Sequence, residues 1–213
     1  KISKLVKTKT FKIGVLLISL IVVCLASYFI AFIGRIYPGV YVANIIVAGL
    51  KPEHAAYVLD QKISAPDKIT AYYKDQTFEI GLDQIDFSYD FIKTAEAAYR
   101  LDRTGNLFVD FYQKASAPIR KVNLGLRFEL DEEKLNEAVG IIAGEVGQEP
   151  VYPSVKIVNG EIAVDKGQNG AEVDSRAFRT EVGQVLAFRK STRITLPLKT
   201  IDTALSEIES QRY

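Results

Sequence analysis

The chain has 213 residues, with 27 basic and 26 acidic side chains, one histidine, one cysteine and no tryptophan or methionine. Five of the bases, Lys1, Lys4, Lys7, Lys9 and Lys12, lie in the first 12 residues with no acid among them, so the remainder is slightly acidic and gives no electrostatic reason to expect a nucleic-acid partner. The lone Cys24 excludes a disulfide framework within the chain, so whatever folds must bury a real core.

From Ile13 to Ile33 the sequence IGVLLISLIVVCLASYFIAFI carries no charge. At 1.5 Å rise per residue such a helix matches the roughly 30 Å of a bilayer core. Lysines before it and only Arg35 soon after it place residues 1–12 in the cytoplasm and everything beyond Gly34 outside. A cleavable signal peptide fits less well. Its apolar core is shorter, Cys24-Leu25-Ala26 is a poor cleavage site, and the apolar run continues through Phe32. A lipid-bearing Cys24 wants a small residue where Val23 stands. The absence of an initiator methionine is expected to mean that the natural start lies upstream.

Val40 to Val47 is rich in β-branched residues and is expected to form one strand, broken at Gly49. Pro52 then opens a helix to about Gln61, with Ala55, Ala56, Val58 and Leu59 as its apolar stripe. His54 sits in the first turn of that helix. Without a second histidine it reads as a solvated residue and not a metal ligand.

Ile69–Tyr73 and Thr77–Ile80 read as a hairpin around Lys74–Gln76. Phe87 and Tyr89 lead to Asp90, which is placed to cap a helix with Ile92, Ala95, Ala98 and Tyr99 on its apolar face. That helix is expected to end near Arg103, with Gly105 closing it before Asn106. The apolar segment Leu107–Ala117 fits helix and strand alike.

Leu124, Leu126, Phe128 and Leu130 alternate as in one half-buried strand, after which Asp131 caps a helix to Val146 that has Glu132 and Glu133 in its first turn. Val151–Val158 and Glu161–Val164 form a second hairpin around Asn159-Gly160. A helix with Phe178, Val182, Val185 and Leu186 follows, and Arg193–Leu198 is the last strand, with Pro197 marking a sheet edge.

Between these elements lies DKGQNGAEVDSRAF, Asp165–Phe178, which resembles a ligand loop. As a calcium loop it fails: Gly167 stands where a ligand oxygen is needed, and Arg176 where a bidentate glutamate belongs. As a strand-to-helix junction it succeeds, with Gly167 and Gly170 for the turn and Asp174 as cap. Shifting the chain by 84 residues sets Asp75-Gln76 on Asn159-Gly160 and Tyr89-Asp90 on Val173-Asp174, an internal repeat of hairpin, turn, capping aspartate and helix. FELD, Phe128–Asp131, repeats the strand-to-helix step.

The inventory of reactive groups is thin: no G-x-S-x-G, S-x-x-K or H-E-x-x-H pattern and no glycine-rich phosphate loop occurs. We expect no catalytic residues, no metal and no cofactor. Tyr72, Tyr73, Tyr112 and Tyr152 offer aromatic faces to sugar rings, and Arg100, Arg103 and Asn106 offer donors to carboxylates or acetamido groups. Taken singly, each fits better as a half-buried tyrosine at a strand position or an arginine at a helix end.

The wording PGVYVANIIVAGLKPEHAAYVL, YRLDRTGN, FELDEEKL, VDKGQNGAEVD and RITLPL, in that order, resembles the YoaR-like peptidoglycan-binding domain of VanW-type proteins and some L,D-transpeptidases. The resemblance implies a bacterial cell-envelope module that binds peptidoglycan or another wall polymer and has no catalysis of its own. Arg103, Gly105 and Asn106 match a Gly-Arg-x-Gly-Asn-like turn of that family, with Asp102 in place of its glycine; Gly170 and Asp174 match its Gly-x-x-x-Asp step. Binding is assigned to Arg103, Gly105 and Asn106 of this turn and to Tyr112 for its aromatic face.

The expected whole is α+β: a single transmembrane helix followed by repeated hairpin-plus-helix units packed as small sheets with helices. Its parts are a basic tail (1–12), an anchor (13–33), two α+β units (36–120 and 121–198) and a linker or the start of a further domain (199–213). The rival expectation is a structural spacer that packs against an envelope protein or a downstream wall enzyme.

Overall fold

The computed structural model describes residues 2–158 and 161–203. It is an α+β structure with six α-helices among the described residues and several small separate sheets. Two compact units form, and neither is continuous in sequence: one takes residues 1–62 and 91–124, the other 63–90 and the chain from 125 onward. The division departs from the expected one, in which 36–120 and 121–198 were successive units.

The first unit begins with α1, Ile2–Ala31. Within it Phe11–Ala31 is long and apolar enough to cross a membrane, with a mean hydropathy of 2.8 and none of that stretch buried. The single strand expected over Val40–Val47 is instead a hairpin of β1, Val40–Val42, and β2, Ile45–Ile46. Ala43 and Asn44 both have positive φ, 44° and 68°, the two-residue turn whose twist suits a hairpin. An Ala-Asn pair is a weak signal for that turn, which hid it.

α2, Pro52–Lys62, buries Ala55 and Leu59. The first unit also contains α3, Phe91–Arg100, α4, Leu107–Ser116, and a 3-10 turn at Ala117–Ile119. α3 buries Thr94, Ala95 and Ala98, whereas Ile92, expected inward, is exposed. The undecided segment after Asn106 is thus helical. β6, Val122–Leu124, runs parallel to β1 in register Val40 with Val122 and completes a sheet ordered β2-β1-β6.

In the second unit, β3, Lys68–Tyr73, and β4, Gln76–Gly81, form the expected hairpin, turning tightly at Lys74 with φ 50°. β5, Ser88–Tyr89, pairs with β7, Phe128–Glu129. The strand expected over 124–130 is therefore two pieces: β6 ends at Leu124 in one unit, and β7 lies in the other. Gly125 stands at the break, where an added Cβ would lie 3.0 Å from the Ala187 Cβ.

Asp131 caps α5, Glu132–Val146, accepting from the amides of Glu133 and Lys134 at 2.9 and 3.1 Å. The second hairpin is β8, Ser154–Val158, with β9, Glu161–Asp165. Pro153 holds β8 short of the expected Val151, which keeps only an isolated bridge to Gln168. The Asn159-Gly160 turn signal lies outside the described residues.

β10, Gly170–Val173, leads through Asp174 into α6, Ser175–Phe188. The last expected strand is divided at Pro197 into β11, Arg193–Thr195, which runs parallel to β3 at the edge of the sheet β11-β3-β4, and β12, Leu198–Ile201, which pairs with β10. Part of the expected linker is thus sheet. The core collects Ile69, Ala71 and Ile80 from the hairpin with Leu135 and Val139 of α5 and Phe178, Val182 and Leu186 of α6. The expected α6 stripe is all inside. Hairpin, strand and helix follow one another in both β3–α3 and β8–α6, yet their partners differ: β5 pairs with β7, and β10 with β12.

Candidate functional site

The junction at Asp165–Phe178 is a turn held by backbone. Gly167 has φ 69°, and a Cβ there would lie 2.3 Å from the Val151 carbonyl oxygen. At Gly170 a Cβ would lie 2.8 Å from the Gln148 oxygen. Two short bridges, Val151 with Gln168 and Gln148 with Ala171, close the turn from the α5 side. Asn169 Oδ1 accepts from the amide and the hydroxyl of Thr203 at 3.1 and 3.0 Å. Asp174 Oδ1 accepts from the Ala177 amide at 2.9 Å. Asn169 and Asp174 are thus engaged in shaping the chain.

The residues assigned to binding gather in the first unit. α3 ends at Arg100, earlier than expected, because Asp102 takes a left-handed conformation with φ 66°. This is the position where the resemblance implies glycine, and aspartate is among the few other residues that tolerate a left-handed backbone. Gly105 follows with φ 87°. Asn106 caps α4, its Oδ1 accepting from Phe108 and Val109 amides. Asp110 reaches back, accepting from the Thr104 amide and hydroxyl, both at 2.7 Å, and from the Gly105 amide at 3.3 Å. The Thr104 hydroxyl bond, more than any other contact, holds the Asp110 carboxyl below the usual carboxylate range.

Arg103 faces the protein. Its guanidinium lies 3.9 Å from the Tyr99 ring centre and 4.6 Å from that of Tyr37, and donates to the carbonyls of Tyr99, Phe32 and Arg35. Burial pushes the Tyr37 hydroxyl up, with the Arg103 charge opposing. The turn thus braces α3 against the end of α1 through the half-buried Arg103, whereas Gly105, Asn106 and Tyr112 are exposed, Tyr112 by 74%. Asp90 stands directly before α3 with its amide on the Arg127 carbonyl at 2.9 Å.

A cleft in the second unit escaped sequence reading. It encloses about 180 Å³ between Ser64 and Pro66 on one side and Tyr89, Val185, Arg189, Lys190 and Thr192 on the other. Arg189 is left-handed, φ 51°, and ends α6, while the Lys190 amide donates to the Val185 carbonyl at 3.1 Å. Both cations therefore stand at a helix C-terminus, where the dipole favours them. Tyr89 donates its hydroxyl to the Leu186 carbonyl at 3.0 Å, and burial raises its pKa while the Arg189 charge opposes. The Lys190 ammonium lies 3.5 Å from Gln184 Oε1 and over the Phe188 ring. Two cations beside hydroxyls suit a carboxylate. The signal was the dibasic pair Arg189-Lys190 right after the α6 stripe.

No curated protein and no solved structure matches the chain. A family profile described as "Putative peptidoglycan binding domain" matches residues 78–195, more than half of the chain, from within β4 to the end of β11. The match takes in both the α4 turn and most of the cleft. The chain belongs to this family.

Proposed function

We propose that this chain is a non-catalytic, extracytoplasmic module of the YoaR-like type, tethered by α1 to the cytoplasmic membrane and binding peptidoglycan. The family match over 78–195 carries the reading, and the span Phe11–Ala31 supports the tether. The cleft supplies the chemistry. Peptide stems of the wall are rich in free carboxylates, and Arg189 and Lys190 meet them with charge-assisted bonds while Ser64 and Thr192 present hydroxyls to amides. At about 180 Å³ the cleft takes one end group and not a run of sugar rings.

The test mixes the full chain, in lipid nanodiscs, with insoluble peptidoglycan and sediments it at low and high salt. Co-sedimentation that weakens about a hundredfold in the R189A/K190A double variant is the expected result, since each of the two charge-assisted bonds is worth about 1.5 kcal/mol or more. Protein left wholly in the supernatant at both salts would remove the binding role and favour the spacer. Sedimentation unchanged in the double variant would leave wall binding in place but move it from the cleft.

A further inference from the structure

α4 presents apolar side chains outward. Phe108 and Ile119 are 89% exposed and Tyr112 74%, with Phe111 more than half exposed. Phe108, Phe111 and Tyr112 follow at helical spacing on one side of α4, and Phe108, Tyr112 and Ile119 line one open groove with Arg120 at its rim. Such a face in water is costly.

Its neighbour supplies the occupant. The Phe111 ring lies 5.5 Å from that of Phe29, and the Tyr28 hydroxyl donates to the Lys114 carbonyl at 2.9 Å. Both partners belong to the last turns of the apolar stretch Phe11–Ala31, whose side chains are themselves unburied. Arg103 adds bonds to the Phe32 and Arg35 carbonyls just beyond. The open face of α4 is therefore continuous with the apolar surface of α1 at the end from which the folded part departs. Lys121, exposed beside Ile119, adds a cation.

We propose that α4 and the following 3-10 turn lie in the interface of the membrane that α1 crosses, with Phe108, Phe111, Tyr112 and Ile119 in the headgroup-acyl boundary. Tyrosine suits that layer because its ring is apolar and its hydroxyl wet. A helix lying in the interface sinks its apolar face only about 5–10 Å, which matches attachment at the last turns of a span and not at its middle. The consequence is a fixed collar at the membrane surface instead of a freely pivoting tether. The proposal rests on α1 spanning the bilayer.

The chain has no tryptophan, so single replacements report position. Full-length F108W and I119W, the control Y57W on α2 (63% exposed) and V22W within α1 are placed in nanodiscs with lipids brominated at shallow or deep acyl positions. The expected result is deep quenching of V22W, loss of about half the fluorescence of F108W and I119W with shallow bromines, and no quenching of Y57W. Quenched V22W with F108W and I119W as bright as Y57W overturns the collar and leaves the anchor standing. Fluorescence of F108W that follows the number of chains per disc and not the bromine also overturns it, in favour of a second copy on this face. Unquenched V22W overturns the anchor and the collar together.

Discussion

The Asp102 carboxylate, 2% exposed, is gripped by the Arg120 guanidinium, which is itself partly open to water. The two sides of this pair are unequal. R120A leaves a buried carboxylate alone and is expected to cost about 3 kcal/mol or more. D102G frees an arginine that can turn to solvent and relieves the left-handed backbone at φ 66°, so its net cost is expected near 1 kcal/mol or below. Urea unfolding of the two variants checks the order; equal losses would show that the pair does not carry the turn.

The glycines divide by what surrounds them. Gly140 and Gly144 lie in α5 with nothing within 4 Å of an added Cβ. G140A and G144A are expected to raise stability by about 0.5–1 kcal/mol each. G167A and G170A meet backbone at 2.3 and 2.8 Å and are expected to lower it by at least about 1–3 kcal/mol. Thermal melts of the four variants give the signs directly.

Phe178 is fully buried where α6 meets the hairpin. F178A is expected to cost about 3–5 kcal/mol and D174A, which removes only a cap, about 1 kcal/mol. An F178A variant within 1 kcal/mol of the parent, by the unfolding midpoint converted at the parent slope, would place the core elsewhere.

Acid should act on the α4 turn through Asp110. Its folded pKa is depressed, chiefly by the Thr104 hydroxyl. The stabilisation is thus present above the ordinary carboxylate value, about 4, and disappears as pH falls through the lowered folded value. D110N is expected to melt below the parent at neutral pH and to converge with it in acid. A gap that stays constant with pH would assign the effect to shape and not charge.

What the sequence revealed followed from where side chains are sorted by water alone. Phe178, Val182, Val185 and Leu186 recur at helical spacing because one side of α6 meets a core. Asp131 and Asp174 stood out because free helix amides need acceptors. α4 was ambiguous because Phe108, Phe111 and Tyr112 point away from the core, so its period does not separate inside from outside. The splits at 43–44, 125–127 and 197 were hidden because the pieces remain apolar on both sides of each break, and pairing across the fold decides them. The cleft was illegible for a related reason: Ser64, Tyr89 and Arg189 meet only through the tertiary fold.

The chain changes unit after Lys62, Asp90 and Leu124, and this weaving sets a timetable for synthesis. β1 emerges early, but its parallel neighbour β6 is made only after everything from Ala43 to Lys121 has left the ribosome. The sheet of β2, β1 and β6 must therefore wait, open along one edge, while the β3–β4 hairpin zips locally. Cutting the gene at any single codon between these crossings would strand a partner strand, so the smallest piece that matures by itself reaches past all three.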